Sequence, residues 1–561
     1  MRKLIECVPN ISEGRRPEVI DAIANTVKQV EGVRLLDVDP GKATNRTVIT
    51  FVGEPDQVVE AAYKLISKAA ELIDMSQHSG EHPRFGATDV CPFIPVANAS
   101  MEDCIQCAQK LGERVGKDLG IPVYLYESAA TEEKRKNLAT VRAGEYEGIE
   151  EKIKQEEWKP DFGPQCFNAK TGNIAIGARD FLIAFNVNLN TTSVRRANSV
   201  AFDIREKGRI KTEDGTPTGK KVLDKDGNPE RVPGTCPGVK GIGWFIKEYG
   251  VAQISMNITD VNKTPLHKAF DETVHSAHRR GMRVTGSELV GLVPLQSMLD
   301  AGKYFLQKQN RSIGVSEEEL VRVAALSMGL SDLKPFVPEE NIIEWMIRET
   351  SSSKLVGMDL KAFAHETASE SPAPGGGSIS AYVGTLGVAL GTMVANLSSH
   401  KRGWDDRWDF FSQWADNGQQ ILSKLLRLVD EDTAAFERIM AAIRLPKGSP
   451  EENAARQQAM KEATEYAIEV PLEVMRTAYG MFDLLDAMAK EGNPNSASDT
   501  GVGALCARTA IQGAGMNVRI NIQDLADGPW KTKVLEEMKQ LEKDAEHRCK
   551  MIVDQVELLI A

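Results

Sequence analysis

The stretch SQHSGEHPRFGATD, residues 76 to 89, sets His78 and His82 four apart and follows them with Arg84 and Asp89. Two imidazoles at i and i+4 on a helix can hold a divalent metal. Here Gly80 and Pro83 interrupt any helix, and no HExxH pattern supplies a further ligand, so no metal is expected. The bland reading is a solvated turn. Against it, a loop presenting His82, Arg84 and Asp89 between an amphipathic helix and the apolar run VCPFIPV offers a base and charged positioning groups on a firm support, the components of an acid/base site. A second candidate lies in LVDEDTAAF, residues 428 to 436, where Asp430, Glu431 and Asp432 fall inside an apolar-periodic helix. Leu425, Leu428, Val429, Thr433 and Phe436 define one helix face, and Asp432 lies beside it. A carboxylate at the edge of a bundle interior can have a raised pKa and exchange protons near neutrality. The alternatives are a surface carboxylate or an ion-pair partner of Arg427 or Arg438. In PAPGGGS, residues 372 to 378, three glycines precede a charge-free helix whose first N–H groups can hold an anion or a polar ligand edge; a flexible hinge is the competing reading.

Three weaker signals take their bland readings. Cys104 and Cys107 form a CxxC after Ser100, at what reads as a helix start, and are expected as buried helix cysteines rather than a redox pair. His275 and His278 are expected on a solvated face. The GxG matches at 241 to 243 and 501 to 503 lack the context of a phosphate loop.

The elements that must position these groups change character along the chain. Residues 3 to 12 and 46 to 53 read as strands, and 55 to 73 has apolar residues at helical spacing. A second unit begins at ARDFLIAFNVNLNT: AFNVNLN (184 to 190) echoes ECVPNIS (6 to 12), and VAQISMNIT (251 to 259) echoes RTVITFVG. The second pair is spaced more widely, by about the length of the polar insert at 211 to 235. A duplicated α/β unit with a loop excursion in its second copy is expected. From about residue 340 strand patterns vanish and long helical runs follow at 408 to 443, 451 to 490 and 528 to 560. SDLKPFVPEEN, with two prolines and clustered charges, reads as the linker.

A chain of 561 residues exceeds one hydrophobic core, so two or more domains are expected. Its 68 basic against 80 acidic residues, a formal charge of −12, argue against a duplex nucleic-acid binder. The charge-free stretch 371 to 400 is long enough to span a bilayer. Its small and hydroxyl residues recur every three or four positions, which fits close helix packing inside a bundle, so no membrane partner is expected. The eight cysteines are scattered, and MRKLIECVPN runs straight into strand-like sequence, so a reducing, cytoplasmic compartment is expected.

Longer motifs then carry a resemblance. CVPNISEGR (7 to 15), HSGEHPRFGATDVCPFIP (78 to 95), PDFGPQCFNAKTGNIAIGARDFLIAFNVNLNT (160 to 191) and VTGSELVGLVP (284 to 294) resemble glutamate formiminotransferase. ESPAPGGGS (370 to 378), LVDEDTAAF and NPNSASDTGVGALCA (493 to 507) resemble formiminotetrahydrofolate cyclodeaminase, in the order of the bifunctional formiminotransferase-cyclodeaminase family. The resemblance implies an α+β half of two ferredoxin-like α/β subdomains, at 1–180 and 181–328, a linker at 329–340, and an all-α helical-bundle domain at 341–561. It implies transfer of a formimino group from N-formimino-L-glutamate to tetrahydrofolate, then cyclisation to 5,10-methenyltetrahydrofolate with loss of ammonia, as part of histidine degradation. Tetrahydrofolate, in polyglutamylated form, would be the co-substrate, with no metal. His82 becomes the transferase base and Asp432 the cyclodeaminase acid/base, with Asp430 as fallback. The folate-binding segment falls on Gly163, Pro164, Gln165, Cys166, Phe167, Asn168, Ala169, Lys170, Thr171 and Gly172. Gly375, Gly376, Gly377 and Ser378 form a possible second folate site. A homo-oligomer is expected. The rivals make the helical domain a methenyltetrahydrofolate cyclohydrolase, or a non-catalytic folate-binding or assembly module.

Overall fold

The computed structural model describes residues 3–42, 44–80, 84–215, 219–347, 355–523 and 525–561. The chain divides into two compact units, Met1–Ala301 with Ala325–Arg348, and Gly302–Ala324 with Glu349–Ala561.

The first unit holds the expected duplication. In its first copy a strand broken into Leu4–Cys7 and Asn10–Ile11 is followed by helix Pro17–Lys28, strands Arg34–Gly41 and Arg46–Gly53, helix Pro55–Leu72 and strand Thr88–Ala97. The break falls at Val8–Pro9, where proline has no N–H for the ladder. Both halves still pair antiparallel with Arg46–Gly53 and Thr88–Ala97. Helices Pro17–Lys28 and Pro55–Leu72 each begin with proline in the first turn, where its missing N–H costs nothing. Their buried faces, including Ile23, Val27, Val58 and Leu65, meet Ile5, Cys7, Phe51 and Phe93. Helix Met101–Arg114 then leads to Val123–Glu127 and Ile174–Ala178, which extend the sheet in parallel beyond Thr88–Ala97.

The second copy repeats the order: strand Ile183–Leu189, helix Val194–Ile204, strands Val239–Ile246 and Val251–Ile258, helix Leu266–His278 and strand Val284–Val290. Its four strands lie with Val251–Ile258 and Val284–Val290 flanking Ile183–Leu189, and Val239–Ile246 outermost. This βαββαβ arrangement is the ferredoxin-like pattern of the first copy. Alternation decides its two faces. Phe185, Val187, Ile254 and Met256 point to the buried core, while Asn186, Asn188, Gln253 and Glu288 point the other way.

The expected linker at 329–340 is instead part of the first unit. Ser287 N donates to Gly329 O at 3.0 Å, and Asp332 Oδ2 accepts from Asn188 Nδ2 at 3.0 Å and Thr285 Oγ1 at 3.1 Å. Helix Ile343–Ile347, expected in the helical domain, also groups here, while Gly302–Ala324 groups with the helical unit. Proline and charge mark irregular backbone equally well when it is free and when it is clamped to a sheet, which is why the sequence misleads at this boundary.

The second unit is built on five long helices: Gly376–Ser399, Trp408–Arg444, Pro450–Glu491, Ala497–Asn521 and Pro529–Ile560. Gly376–Ser399 is long and apolar enough to cross a membrane, yet its small-residue face is buried against neighbouring helices. A Cβ on Gly387 would stand 2.7 Å from Cys506 Cβ, and one on Gly503 would stand 3.0 Å from Gly387 O, so these glycines are what permits the close approach.

Candidate functional site

His82, with Glu81 and Pro83, lies outside the described residues, but the residues that lead into and out of the loop are well placed. His78 donates from Nε2 to Asn45 O at 2.9 Å, Asn45 Nδ2 donates to Ser79 O at 3.0 Å, and Asn45 Oδ1 accepts from Gly14 N at 3.0 Å. Gly80 packs so closely on the Thr44 carbonyl that no Cβ fits. Burial lowers the His78 pKa, opposed by its hydrogen bond to Asn45, so this imidazole is neutral at neutral pH. His78 thus ties the loop to Asn45.

On the far side, Arg84 pairs with Glu147, and its guanidinium lies 5.8 Å from the Tyr146 ring centre. Asp89 is 1% exposed and bound by two guanidiniums, Arg142 at 2.8 Å and Arg46 at 3.4 Å. Burial pushes its carboxyl upward, and Arg46 and Arg142 pull it back. Neither arginine was singled out from sequence. Only the fold brings Arg46 and Arg142 onto one carboxylate.

The segment 163 to 172 is tied to this loop at several points. Met75 N donates to Lys170 O at 2.8 Å, Ala87 N to Thr171 O at 2.7 Å, and Asn173 N to Phe85 O at 3.0 Å. Within it, Asn168 Oδ1 accepts from Lys170 N and Thr171 N, which closes a tight turn, and Tyr146 Oη donates to Ala169 O at 2.6 Å. Phe167 lies 5.6 Å from Tyr146, ring centre to ring centre, and packs on the cluster of Phe85, Tyr124 and Tyr126. Gly163 and Gly172 take φ of +84° and +63°, positions that favour glycine. Cys166 is exposed. The two stretches selected from sequence thus form one neighbourhood.

A further carboxylate escaped the sequence reading. Glu6 alternates with core residues Ile5 and Cys7, so it stands on the sheet's other face, and burial pushes its carboxyl up to about 7, with Arg179 opposing and Glu344 reinforcing the rise. The folded protein holds this proton from the ordinary value of 4.5 up to about 7 while the unfolded chain has released it, so the group's contribution is fully present at the acid end and is lost as pH rises through 7. Glu6→Gln is expected to remove that dependence. By calorimetry its melting temperature should exceed the parent's at about pH 8 and change less between about pH 5 and pH 8. Identical pH dependence in parent and variant would show that Glu6 is not a buried acid.

In the helical unit, Asp432 is clasped by the glycine turn. Its Oδ2 accepts from Ser378 N and Ser378 Oγ, both at 2.8 Å, and Gly377 approaches it so closely that any Cβ would collide with the carboxylate. Gly375 caps helix Gly376–Ser399, so the three glycines start a helix and do not form a hinge. Burial raises the Asp432 pKa, and the two Ser378 hydrogen bonds lower it again. The ion-pair reading with Arg438 gains no support, because that guanidinium stands 3.9 Å from the Tyr466 ring centre. Asp430 points elsewhere: its Oδ1 accepts from Leu355 N at 2.8 Å.

The weaker signals resolve as expected. Cys104 and Cys107 are buried in helix Met101–Arg114, with thiols pushed up to about 12 by burial, behind a capping box of Ser100 and Asp103. His275 and His278 are exposed. No group of three or more metal-ligating side chains occurs among the described residues.

Comparison with known proteins divides the chain in the same order. The formiminotransferase domain, N-terminal subdomain, matches residues 4–179, the formiminotransferase domain 184–348, and formiminotransferase-cyclodeaminase 359–540. The formimidoyltransferase-cyclodeaminase of Sus scrofa is 41% identical over 558 residues, 99% of each chain. The glutamate formimidoyltransferase of Thermoplasma acidophilum is 45% identical over 306 residues, 54% of this chain and 92% of that protein. The methenyltetrahydrofolate cyclohydrolase of Methylorubrum extorquens is 33% identical over 186 residues, 33% of this chain and 89% of that protein.

Proposed function

The chain belongs to the formimidoyltransferase-cyclodeaminase family, and from that membership we propose how its residues divide two reactions. The protein is a folate-dependent bifunctional enzyme. It transfers the formimino group of N-formimino-L-glutamate to tetrahydrofolate, then cyclises 5-formiminotetrahydrofolate to 5,10-methenyltetrahydrofolate with release of ammonia. Transfer belongs to the first unit, with His82 as base and residues 163 to 172 against the folate. Cyclodeamination belongs to the helical unit, with Asp432 as acid/base and Gly375–Ser378 beside the ligand. The observation that carries this division is the Asp432–Ser378 clasp, an acid of raised pKa fixed against a glycine turn within a helical unit. The folate is proposed to be polyglutamylated and the compartment cytoplasmic, the latter supported by eight unpaired cysteines.

One experiment tests both activities. Pure protein supplied with formiminoglutamate and tetrahydrofolate should yield glutamate, ammonia and methenyltetrahydrofolate together, undiminished by exhaustive chelation. Loss of turnover restored by zinc would overturn the metal-free reading, and glutamate without ammonia would mean that the helical unit is inactive. The cyclohydrolase reading is favoured by the resemblance of a third of the chain to the Methylorubrum protein. Supplied 5-formiminotetrahydrofolate separates them, because only cyclodeamination liberates ammonia.

Homo-oligomer formation belongs to the same proposal. Leu386, Met393 and Leu397 on one helix, and Val502, Leu505, Met516 and Ile520 on its neighbour, are exposed at helical spacing and form two adjacent apolar stripes. Light scattering of the parent at micromolar concentration should give a multiple of the chain mass, and Met516→Glu with Ile520→Glu should lower it. A monomeric parent would contradict the proposal.

A further inference from the structure

The second sheet of the transferase unit has one face covered by helices Val194–Ile204 and Leu266–His278, and another that no helix of that copy covers. A soluble sheet commonly turns scattered charged and polar residues toward water on such a face. Here the polar residues are buried and joined. Gln253 Nε2 donates to Asn188 Oδ1 at 2.8 Å and to Glu288 Oε1 at 3.2 Å, and Asn186 Nδ2 donates to Glu288 Oε1 at 2.9 Å. Trp244 Nε1 donates to Gln253 Oε1 at 3.1 Å. Glu288 itself is 8% exposed, and Asn188 and Gln253 are fully buried.

The network fixes one carboxylate oxygen and leaves the other differently placed. Two amide donors hold Oε1, whereas Oε2 faces Lys334 Nζ at 4.0 Å, beyond hydrogen-bond length. On the same face stand the half-exposed side chains of Val290, two residues along the strand, and of Trp244, which reaches the carboxylate through Gln253. An oriented carboxylate edged by an indole and an aliphatic group, with Oε1 already held by two donors, matches a flat ligand that presents N–H donors to Oε2. The face is also turned toward the rest of the unit: burial raises the pKa of Glu127 on the first sheet, and Lys240 on the outer strand of this face stands near enough to join Arg179 in opposing that rise.

We propose that Glu288, oriented by Asn186 and Gln253 and flanked by Trp244, is a substrate-binding residue of the transfer reaction, recognising through Oε2 the N–H groups on a planar ligand edge. This rests on the transferase assignment of the unit. Both substrates carry that chemistry: the formimino group is an amidine, and the pterin presents a ring N–H beside an amino group. Removing the carboxylate therefore raises the KM of whichever substrate it holds.

The test is Glu288→Gln, which keeps the shape but replaces one acceptor oxygen by a donor. With the full chain, the KM for formiminoglutamate and for tetrahydrofolate are measured separately, alongside cyclodeamination of supplied 5-formiminotetrahydrofolate as an internal control. A rise of about tenfold or more in one KM supports the inference and names the substrate. Both KM values within about twofold of the parent, in protein with the parental melting profile, overturn it. If Glu288→Gln fails to fold, Trp244→Leu on the same face decides by the same criterion. Turnover of the two substrates by the parent tests the transferase assignment itself, so failure there is distinguishable from failure of Glu288.

Discussion

His82→Ala is expected to slow formimino transfer by about 10² to 10⁴, the usual worth of a positioned base, while cyclodeamination of supplied 5-formiminotetrahydrofolate stays close to the parental rate. When N5 of tetrahydrofolate attacks the amidine carbon, the nitrogen becomes cationic and must lose a proton. The glutamate nitrogen must gain one before it leaves. A neutral imidazole can accept the first proton and return it in the second step, and an ordinary histidine pKa of about 6.5 suits both. In the parent, kcat/KM for transfer should therefore fall as pH drops through the imidazole pKa, because the protonated ring cannot accept. His78→Ala should cost less. Its Nε2–H is already committed to Asn45 O, so removing it loosens the loop without removing the working base. Full transfer activity in His82→Ala would overturn the assignment, and a larger loss in His78→Ala would move the role by one helical turn's worth of sequence.

Why the sequence alone says so little about His78 follows from what its contact requires. The anchoring of His78 depends on Asn45, thirty-three residues upstream in the chain and visible as a partner only once strand Arg46–Gly53 is in place. Local signals were legible. Gly80 and Pro83 argued against a helix through residues 78 to 82, and period-3.6 apolar runs gave the helical ends Arg444, Glu491 and Ile560 to within a few residues. The duplication was legible because both copies repeat the same alternation of strand and helix.

What remained hidden was chemistry assembled from distant strands. Glu288 draws its partners from positions 102 and 35 residues away, and its alternation with Ser287 and Leu289 says only that it faces away from the core. Asp89 draws on Arg46 and Arg142, which lie in different elements. The boundary at 329–340 was misread for the same reason: Asp332 looks like a solvated linker charge until Asn188 and Thr285 are brought to it. Asp432 was partly legible, since helical periodicity placed it beside the apolar face, but its partner Ser378 lies 54 residues earlier on another helix.

That clasp sets the expectation for Asp432→Asn: ammonia release from 5-formiminotetrahydrofolate should fall by about 10² or more, while formimino transfer survives and the 5-formimino intermediate accumulates. Ring closure requires N10 to lose a proton as it attacks the formimino carbon, and the departing nitrogen to gain one before it leaves as ammonia. A single carboxyl group can serve both steps if it neither stays permanently ionised nor stays permanently protonated. Burial lifts the Asp432 pKa above the ordinary range, while two hydrogen bonds from Ser378 restrain the rise. Those donors also hold the carboxylate on rigid helical mountings, against a turn where Gly377 leaves no side chain in the way. Asparagine keeps the size and one acceptor but carries no exchangeable acid, so the clasp can persist while proton transfer is lost. Ser378→Ala probes the balance from the other side: without its hydroxyl donor the Asp432 pKa should rise further, and the pH at which cyclodeamination is half-maximal should move upward with it. Asp430→Asn should leave the chemistry intact, because Asp430 is engaged with the Leu355 N–H. Parental cyclodeamination by Asp432→Asn together with loss in Asp430→Asn would shift the role by two residues, and parental rates in both would rule out the carboxylate mechanism.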